Sequence, residues 1–435
     1  MSNLDIGFLG IGMVLVLILL RFHIGIAMGI VSLVGISLIL NVNAALGMIS
    51  AVPFRYVGDW NLSAIPMFLL MGFIAGNTGL TKSLFSAMRV LLSWLPGGLA
   101  IATVGASALF AAASGSSVAT ASAMSRISVP EMLKSGYDRG LATASVAASG
   151  TLGSLIPPSI LLLLFGFFAQ VSVGQLFLAG FLPGLLSVVL YVAMIYLRCV
   201  ANPALAPPTH EVVNRQVVFS ALKGIWPLPT LIVFVLVGIF VGLFTPTQAG
   251  AVGALCAALI ALLRGSLSIA AIKAALSATI SSTASIFLVV IGTVFLTRFL
   301  ALSQVPTFLT QQFISIGAEP LLIIITIAVV YIVLGMFVDS IGLMLLTMPI
   351  FIPIAVSADM NLVWLGIIVV KLLEIGLITP PVGLNVYVIK SSLGSRVKLG
   401  EIFRGVTWFI LVDFLTLAIL VAFPIITLWL PGLMG

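Results

Sequence analysis

AAASGSSVATASAMSRISVPEMLKSGYDRGLATASVAASGTLGSLIPPSI, residues Ala111 to Ile160, is the stretch that decides how this chain folds. Ser, Thr, Gly and Ala crowd it, and a Pro-Pro pair closes it inside an otherwise apolar sequence. Such a composition continues a lipid-facing helix poorly. Gly frees the backbone, Pro removes a donor, and Ser and Thr offer hydroxyls to unpaired groups. Hydrocarbon tolerates broken backbone only where protein buries it or a cavity faces it. The stretch therefore reads as a site. An echo lies about 222 residues downstream, in GMFVDSIGLMLLTMPIFIPIA (Gly335 to Ala355) and EIGLITPPVGLNVYVIK (Glu374 to Lys390).

Composition fixes the class around these two stretches. The chain has 435 residues, 62% hydrophobic and 7% charged, with a mean hydropathy of +1.35. A soluble chain carries roughly 25% charged residues. Continuous apolar runs of about 20 residues recur from end to end, so the chain is an all-α polytopic membrane protein facing membrane lipid. Continuous runs, without alternation, exclude a β-barrel. The net charge of +7 belongs to loops on one membrane face and not to a nucleic-acid surface. Cys199 and Cys256 match no metal or redox spacing. Ile6 to Leu20 lacks a basic segment before it and an A-x-A-like end, which predicts a retained helix and no signal peptide.

Taken in order, the first half (1–200) predicts helices over Leu4–Leu20, Ile24–Val42 and Leu62–Leu80, with an interfacial arm between Asn43 and Asn61. An amphipathic segment follows over Lys82–Leu95. Basic residues flank both sides of 97–127, so this segment starts and finishes on one face: a re-entrant hairpin with its tip at Ser114–Ser117. Residues 140–170 form one crossing, broken between Gly150 and Pro158, and Leu176–Leu197 returns. A polar cytoplasmic linker covers 201–224 and includes His210.

The second half (225–435) repeats the plan. Spans are predicted over Ile225–Phe244 and Thr245–Leu263, then an arm around Arg264–Leu276 and a span over Thr279–Thr297. Leu302–Glu319 reads as a polar surface segment. A second hairpin covers 320–356 with its tip near Gly335–Ser340. A second broken crossing covers 362–390, and Thr407–Leu430 closes the chain. Fifteen of the 18 Lys and Arg then fall on one face, with Arg55 and Arg298 opposite and Lys371 inside the membrane. The positive-inside rule makes that face cytoplasmic and both termini periplasmic. Each half has five crossings and one hairpin; five is odd, so the two repeats are inverted. Inverted repeats with paired broken helices are the mark of secondary transporters, whose sites lie near the midplane.

Broken helices supply the chemistry. Carbonyls freed at a break replace the hydration shell of Na⁺, and the N-terminus of the next half-helix suits a carboxylate. In the first half, Ser114, Gly115 and Ser116 are expected to face Gly150, Thr151, Gly153 and Pro158. In the second, Gly335, Asp339 and Ser340 are expected to face Gly376, Thr379 and Gly383, with Asn385 nearby. Any one of these Ser or Gly residues could serve close helix packing alone; two matched sets at one offset favour ion sites. Asp339 is the sharpest candidate, because a membrane carboxylate costs about 2.5–3.5 kcal/mol unless a cation or partner offsets it. Its plainer reading is a water-exposed hairpin cap. Lys371 and Glu374, spaced i,i+3, are expected to pair as scaffolding, with a substrate or proton role as the alternative. No HExxH, GxSxG or Walker-A pattern is present, which excludes the common hydrolase and nucleotide-driven classes and leaves an ion gradient as the energy source.

SGSSVATASAM, PEM-x-K-x-GYD and ASGTLGSLIPPSI, with GMFVDSIGLMLLTMPIF and KLLEIGLITPPVGLNVYVIK, resemble the large membrane subunit of tripartite ATP-independent periplasmic (TRAP) transporters. The resemblance covers nearly the whole chain. It implies a scaffold with an elevator-type transport domain carrying the hairpins and broken helices. It also implies Na⁺ as coupling ion at the two clamshells, a small organic anion as substrate, and the bacterial inner membrane as location. Ser117, Thr120 and Asn385 are the candidates for substrate contact. Two partners are implied: a small four-helix membrane subunit and a periplasmic substrate-binding protein. Sialic acid and C4-dicarboxylates both remain open as substrates. The rival readings are a standalone sodium/carboxylate symporter and, outside transport, a membrane enzyme or structural scaffold.

Overall fold

A computed structural model describes residues 1–207 and 215–433. These residues form helices and connecting turns, with no strand among them. The first half contains α1 (Asn3–Leu19), α2 (Ile24–Ile39), α3 (Val42–Val57), α4 (Ala64–Asn77), α5 (Leu80–Leu92), α6 (Gly98–Ser114), α7 (Ser117–Lys134), α8 (Arg139–Thr151), α9 (Ile160–Ala169) and α10 (Val173–Ala201). The second contains α11 (Arg215–Ile225), α12 (Pro227–Phe240), α13 (Pro246–Leu263), α14 (Ile269–Ser303), α15 (Val305–Ser315), α16 (Pro320–Gly335), α17 (Ser340–Ser357), α18 (Leu362–Ile378), α19 (Leu384–Leu393), α20 (Leu399–Ala422) and the short α21 (Ile425–Leu428).

Five helices (α10, α13, α14, α17 and α20) are each long and apolar enough to cross a bilayer, and α3–α4 form a pair bent by 58°. Outward faces carry large apolar side chains, such as Leu9 at 61%, Leu38 at 67% and Leu263 at 82% exposed. An apolar exterior of that extent needs lipid to cover it. By contrast α18 is buried from Val363 to Ile378. A helix apolar all round belongs in an interior, and this one is packed by α8, α9, α10, α16, α17 and α20.

Helix turns and interruptions fall at the positions the sequence marks. α6 and α7 turn at Gly115–Ser116, α16 and α17 at Met336–Asp339, and the breaks fall at 152–159 and 379–383. Both Pro-Pro bonds, Pro157-Pro158 and Pro380-Pro381, are cis.

Three expectations need correction. The arm around Arg264–Leu276 and the span after it are one helix of 35 residues, α14. The polar run between them does not break it, because Thr279 folds its hydroxyl back onto Ala275 O at 2.8 Å and Ala lines the rest. The expected linker 201–224 ends in a helix, α11, which packs on α5; Pro208 and His210 lie outside the described residues. The last long helix starts at Leu399, not near Thr407, because Glu401 accepts from Lys398 N at 2.7 Å and caps that start.

Candidate functional site

The first clamshell is made of backbone. α6 stops at Gly115, whose φ of 60° is the left-handed conformation that ends helices. Ser116 then caps α7 by accepting from Ala119 N at 3.4 Å. A Cβ on Gly115 would stand 2.9 Å from Pro158 O, and one on Gly153 3.0 Å from the Ser116 carbonyl carbon. Tip and break therefore touch main chain to main chain. Ser117 Oγ lies 2.5 Å from Ser154 Oγ and donates to Thr151 O at 3.4 Å. Ser114, Gly115, Ser116, Thr151, Gly153 and Pro158 thus come together. Gly150 packs instead on Ala121, farther along α7. Thr120 is fully buried and holds the tip itself, 2.8 Å from Ser114 Oγ.

The second clamshell repeats the arrangement. A Cβ on Gly376 would lie 2.9 Å from Gly335 Cα, so α16 and α18 meet backbone to backbone. Gly383 N donates to Met336 O at 3.4 Å across tip and break. Asp339 caps α17 by accepting from Gly342 N at 2.9 Å. Thr379 turns its hydroxyl onto Ile375 O at 2.6 Å. Asn385 Nδ2 donates to Ala147 O at 3.2 Å, which ties α19 to α8 and so one break to the other. Two buried oxygens here, Ser340 Oγ and Asn385 Oδ1, have no hydrogen-bond partner among the described residues. Orphaned buried acceptors are what a bound cation would satisfy.

Both tips open on one cavity of about 310 Å³. Its walls include the first residues of four helices: Ser117 of α7, Ile160 of α9, Ser340 of α17 and Leu384 of α19. Side chains cap three of these starts (Ser116, Ser159 and Asp339), while α19 starts at Gly383 with no side-chain cap. Four helix N-termini at one space offer positive dipole ends that favour an anion, with the Asp339 carboxylate on the same wall opposing them. Ser154, Ser282 and Ser285 add hydroxyls, and Leu69, Phe73 and Ile286 add apolar wall. Of the three substrate candidates Ser117 lines this cavity; Thr120 and Asn385 sit behind it. His23, at the start of α2, lies 3.2 Å from Ser285 Oγ and in electrostatic reach of Asp339.

Behind the breaks lies a cluster that the sequence reading recognised in part. Lys371 pairs with Glu374 at 3.1 Å as expected, and also with Asp413 of α20 at 2.7 Å. Ser187 and Tyr191 of α10 complete it: Lys371 Nζ donates to Ser187 Oγ at 3.2 Å and Tyr191 Oη to Asp413 at 2.6 Å. All five side chains are fully buried. Ser154, Ser282, Ser285 and Asp413 were missed. Asp413 carried a signal, since a lone carboxylate in an apolar helix is a functional or paired residue by default; the serines carried none.

Comparison with known proteins gives the family. The family model of the tripartite ATP-independent periplasmic transporter, DctM component, matches residues 11–426. A C4-dicarboxylate TRAP transporter large permease protein of Pseudomonas aeruginosa is 33% identical over 88% of each chain. A sialic acid TRAP transporter large permease protein of Vibrio cholerae is 30% identical over 87% of each chain. The crystal structure of the Alcanivorax borkumensis YdaH transporter shares the fold, with a TM-score of 0.60 at 16% identity, over 88% of this chain and 90% of that one. The two relatives are large permease proteins of TRAP transporters, and such permeases are not enzymes. This multi-pass membrane protein belongs to the DctM component family of tripartite ATP-independent periplasmic transporters.

Proposed function

We propose that the chain carries out sodium-coupled secondary uptake of a small organic acid, delivered by a periplasmic binding protein, with a small four-helix membrane subunit beside it. The convergence of four helix N-termini on one cavity supports this reading more than any other observation. Its volume of about 310 Å³ suits a small carboxylate such as a C4-dicarboxylate or sialic acid. Those substrates are the ones named for the two relatives above.

Sodium ions would sit where each tip meets its break, among carbonyl oxygens of Ser114, Ser116, Thr151 and Gly153 in one half and of Gly335, Gly376 and Thr379 in the other. Asp339 and Ser340 face the cavity from the second tip. Binding Na⁺ draws tip and break together and adds positive charge beside the anion, so ion and substrate favour the same state. The hairpins, the broken helices and α10 and α20, which pack on them, would move as one body. α1 to α4 and α12 to α14 would brace them in the bacterial inner membrane, with both termini periplasmic.

Reconstitution tests the reading. Proteoliposomes holding the large and small subunits, supplied with loaded binding protein, are expected to accumulate succinate or N-acetylneuraminate only under an inward Na⁺ gradient. Accumulation without that gradient sinks the coupling. Undiminished uptake without the binding protein favours a standalone symporter.

A further inference from the structure

A second cavity adjoins the one at the tips. Leu69, Phe73 and Ser116 are walls of that cavity and of a second one, of about 410 Å³. The second cavity runs between the α4–α5 turn and the outer side of α7. Its polar lining begins at the tip with Ser114 and Ser116 and continues through Ser122 to Asn77, Lys82 and Arg126. From the cap Ser116 along α7, residues 119, 122 or 123, and 126 recur at three- and four-residue steps, so one helix face forms this wall.

The charge of that wall is one-sided. Lys82 and Arg126 are exposed, no Asp or Glu lines the cavity, and neither cation forms an ion pair among the described residues. The larger cavity beside Arg55 differs, because Asp59 shares its lining and balances it. Among the described residues neither Lys82 nor Arg126 has a side-chain partner, and both are exposed to a passing ligand. A cleft lined by one sign of charge concentrates the opposite ion inside it.

We propose that this cavity is an anion passage joining the tip site to the basic face of the protein, with Lys82 and Arg126 as a second, weaker carboxylate subsite at its mouth. The identity of the passenger rests on the transport reading above; the selectivity of the passage does not. An anion leaving the four helix N-termini meets the serine hydroxyls of α7 and then the two exposed cations, which replace the field it leaves.

The test uses charged thiol reagents as probes, so no substrate need be known. Ser122→Cys is placed in the full chain with Cys199 and Cys256 replaced by Ala, in inside-out membrane vesicles. An anionic methanethiosulfonate is expected to modify it about tenfold faster than a cationic one. Lys82→Gln with Arg126→Gln should bring the two rates near parity, and each single change should lower the ratio part-way. Raising ionic strength should do the same with both cations in place, which removes any dependence on the variants folding. A ratio indifferent to both the cations and the salt overturns the proposal, as does a Ser122→Cys that neither reagent reaches from either side. If charge-selective labelling holds while Na⁺-driven uptake fails, the passage stands and the coupling does not.

Discussion

Asp339 combines two roles at one carboxylate. It caps α17 through Gly342 N, and it lines the cavity between the tips. Losing a cap costs about 1 kcal/mol, too little to unfold a chain of this size. Asp339→Ala is therefore expected to insert normally yet lose most Na⁺-dependent uptake, while Asp339→Asn keeps the cap and isolates the charge. Unaltered sodium dependence in both variants would return Asp339 to the plain role of a hairpin cap. The buried cluster answers to different physics. Lys371→Met leaves Glu374 and Asp413 buried without their cation, which is expected to lower stability by about 3–5 kcal/mol. Changing Lys371, Glu374 and Asp413 together to Met, Leu and Leu should recover most of that loss in thermal unfolding of the detergent-solubilised protein. A triple variant no better than the single one would show that the cluster is more than an ion pair. Half of it was legible: Lys371 and Glu374 sit three apart on one helix. Asp413 meets Lys371 from 42 residues away, and no local pattern reports such a contact.

At the scale of elements, the hairpins and breaks were legible because their cause is local. Gly115 and Gly383 each end or start a helix with positive φ, and Pro-Pro removes donors wherever it stands. The continuity of α14 was not legible, since Ser and Thr in a helix interior look like a break until their back-bonding is seen. The four helix starts were each visible alone; their convergence depends on how α7, α9, α17 and α19 cross, which periodicity does not encode. Gly335 and Gly376 bear on function through that crossing. α18 is buried along its length, so it cannot shift to admit a side chain against α16. Gly376→Leu is expected to abolish uptake and lower the unfolding temperature. Gly400→Ala, which meets nothing within 4 Å, should leave both unchanged. Equal behaviour of the two variants would mean that the α16–α18 contact is not required.

At the scale of the whole molecule, one asymmetry sets the proposed orientation. The topology expected from the sequence puts fifteen of the 18 Lys and Arg on one face, including Lys82 and Arg126, which line the second cavity, and Arg55 and Arg298 opposite. Basic loops resist translocation, so that face is expected in the cytoplasm and both ends of the chain in the periplasm. The same asymmetry gives the passage a direction: an anion released between the tips is drawn toward the side where cations are dense. A C-terminal alkaline phosphatase fusion should accordingly be active and a C-terminal green fluorescent protein fusion dark, with the reverse pattern for fusions truncated after Lys134. A bright full-length fluorescent fusion would invert the molecule. The cavity lined by Lys82 and Arg126 would then open outward, where it would serve as an entrance for the anion and no longer as its exit.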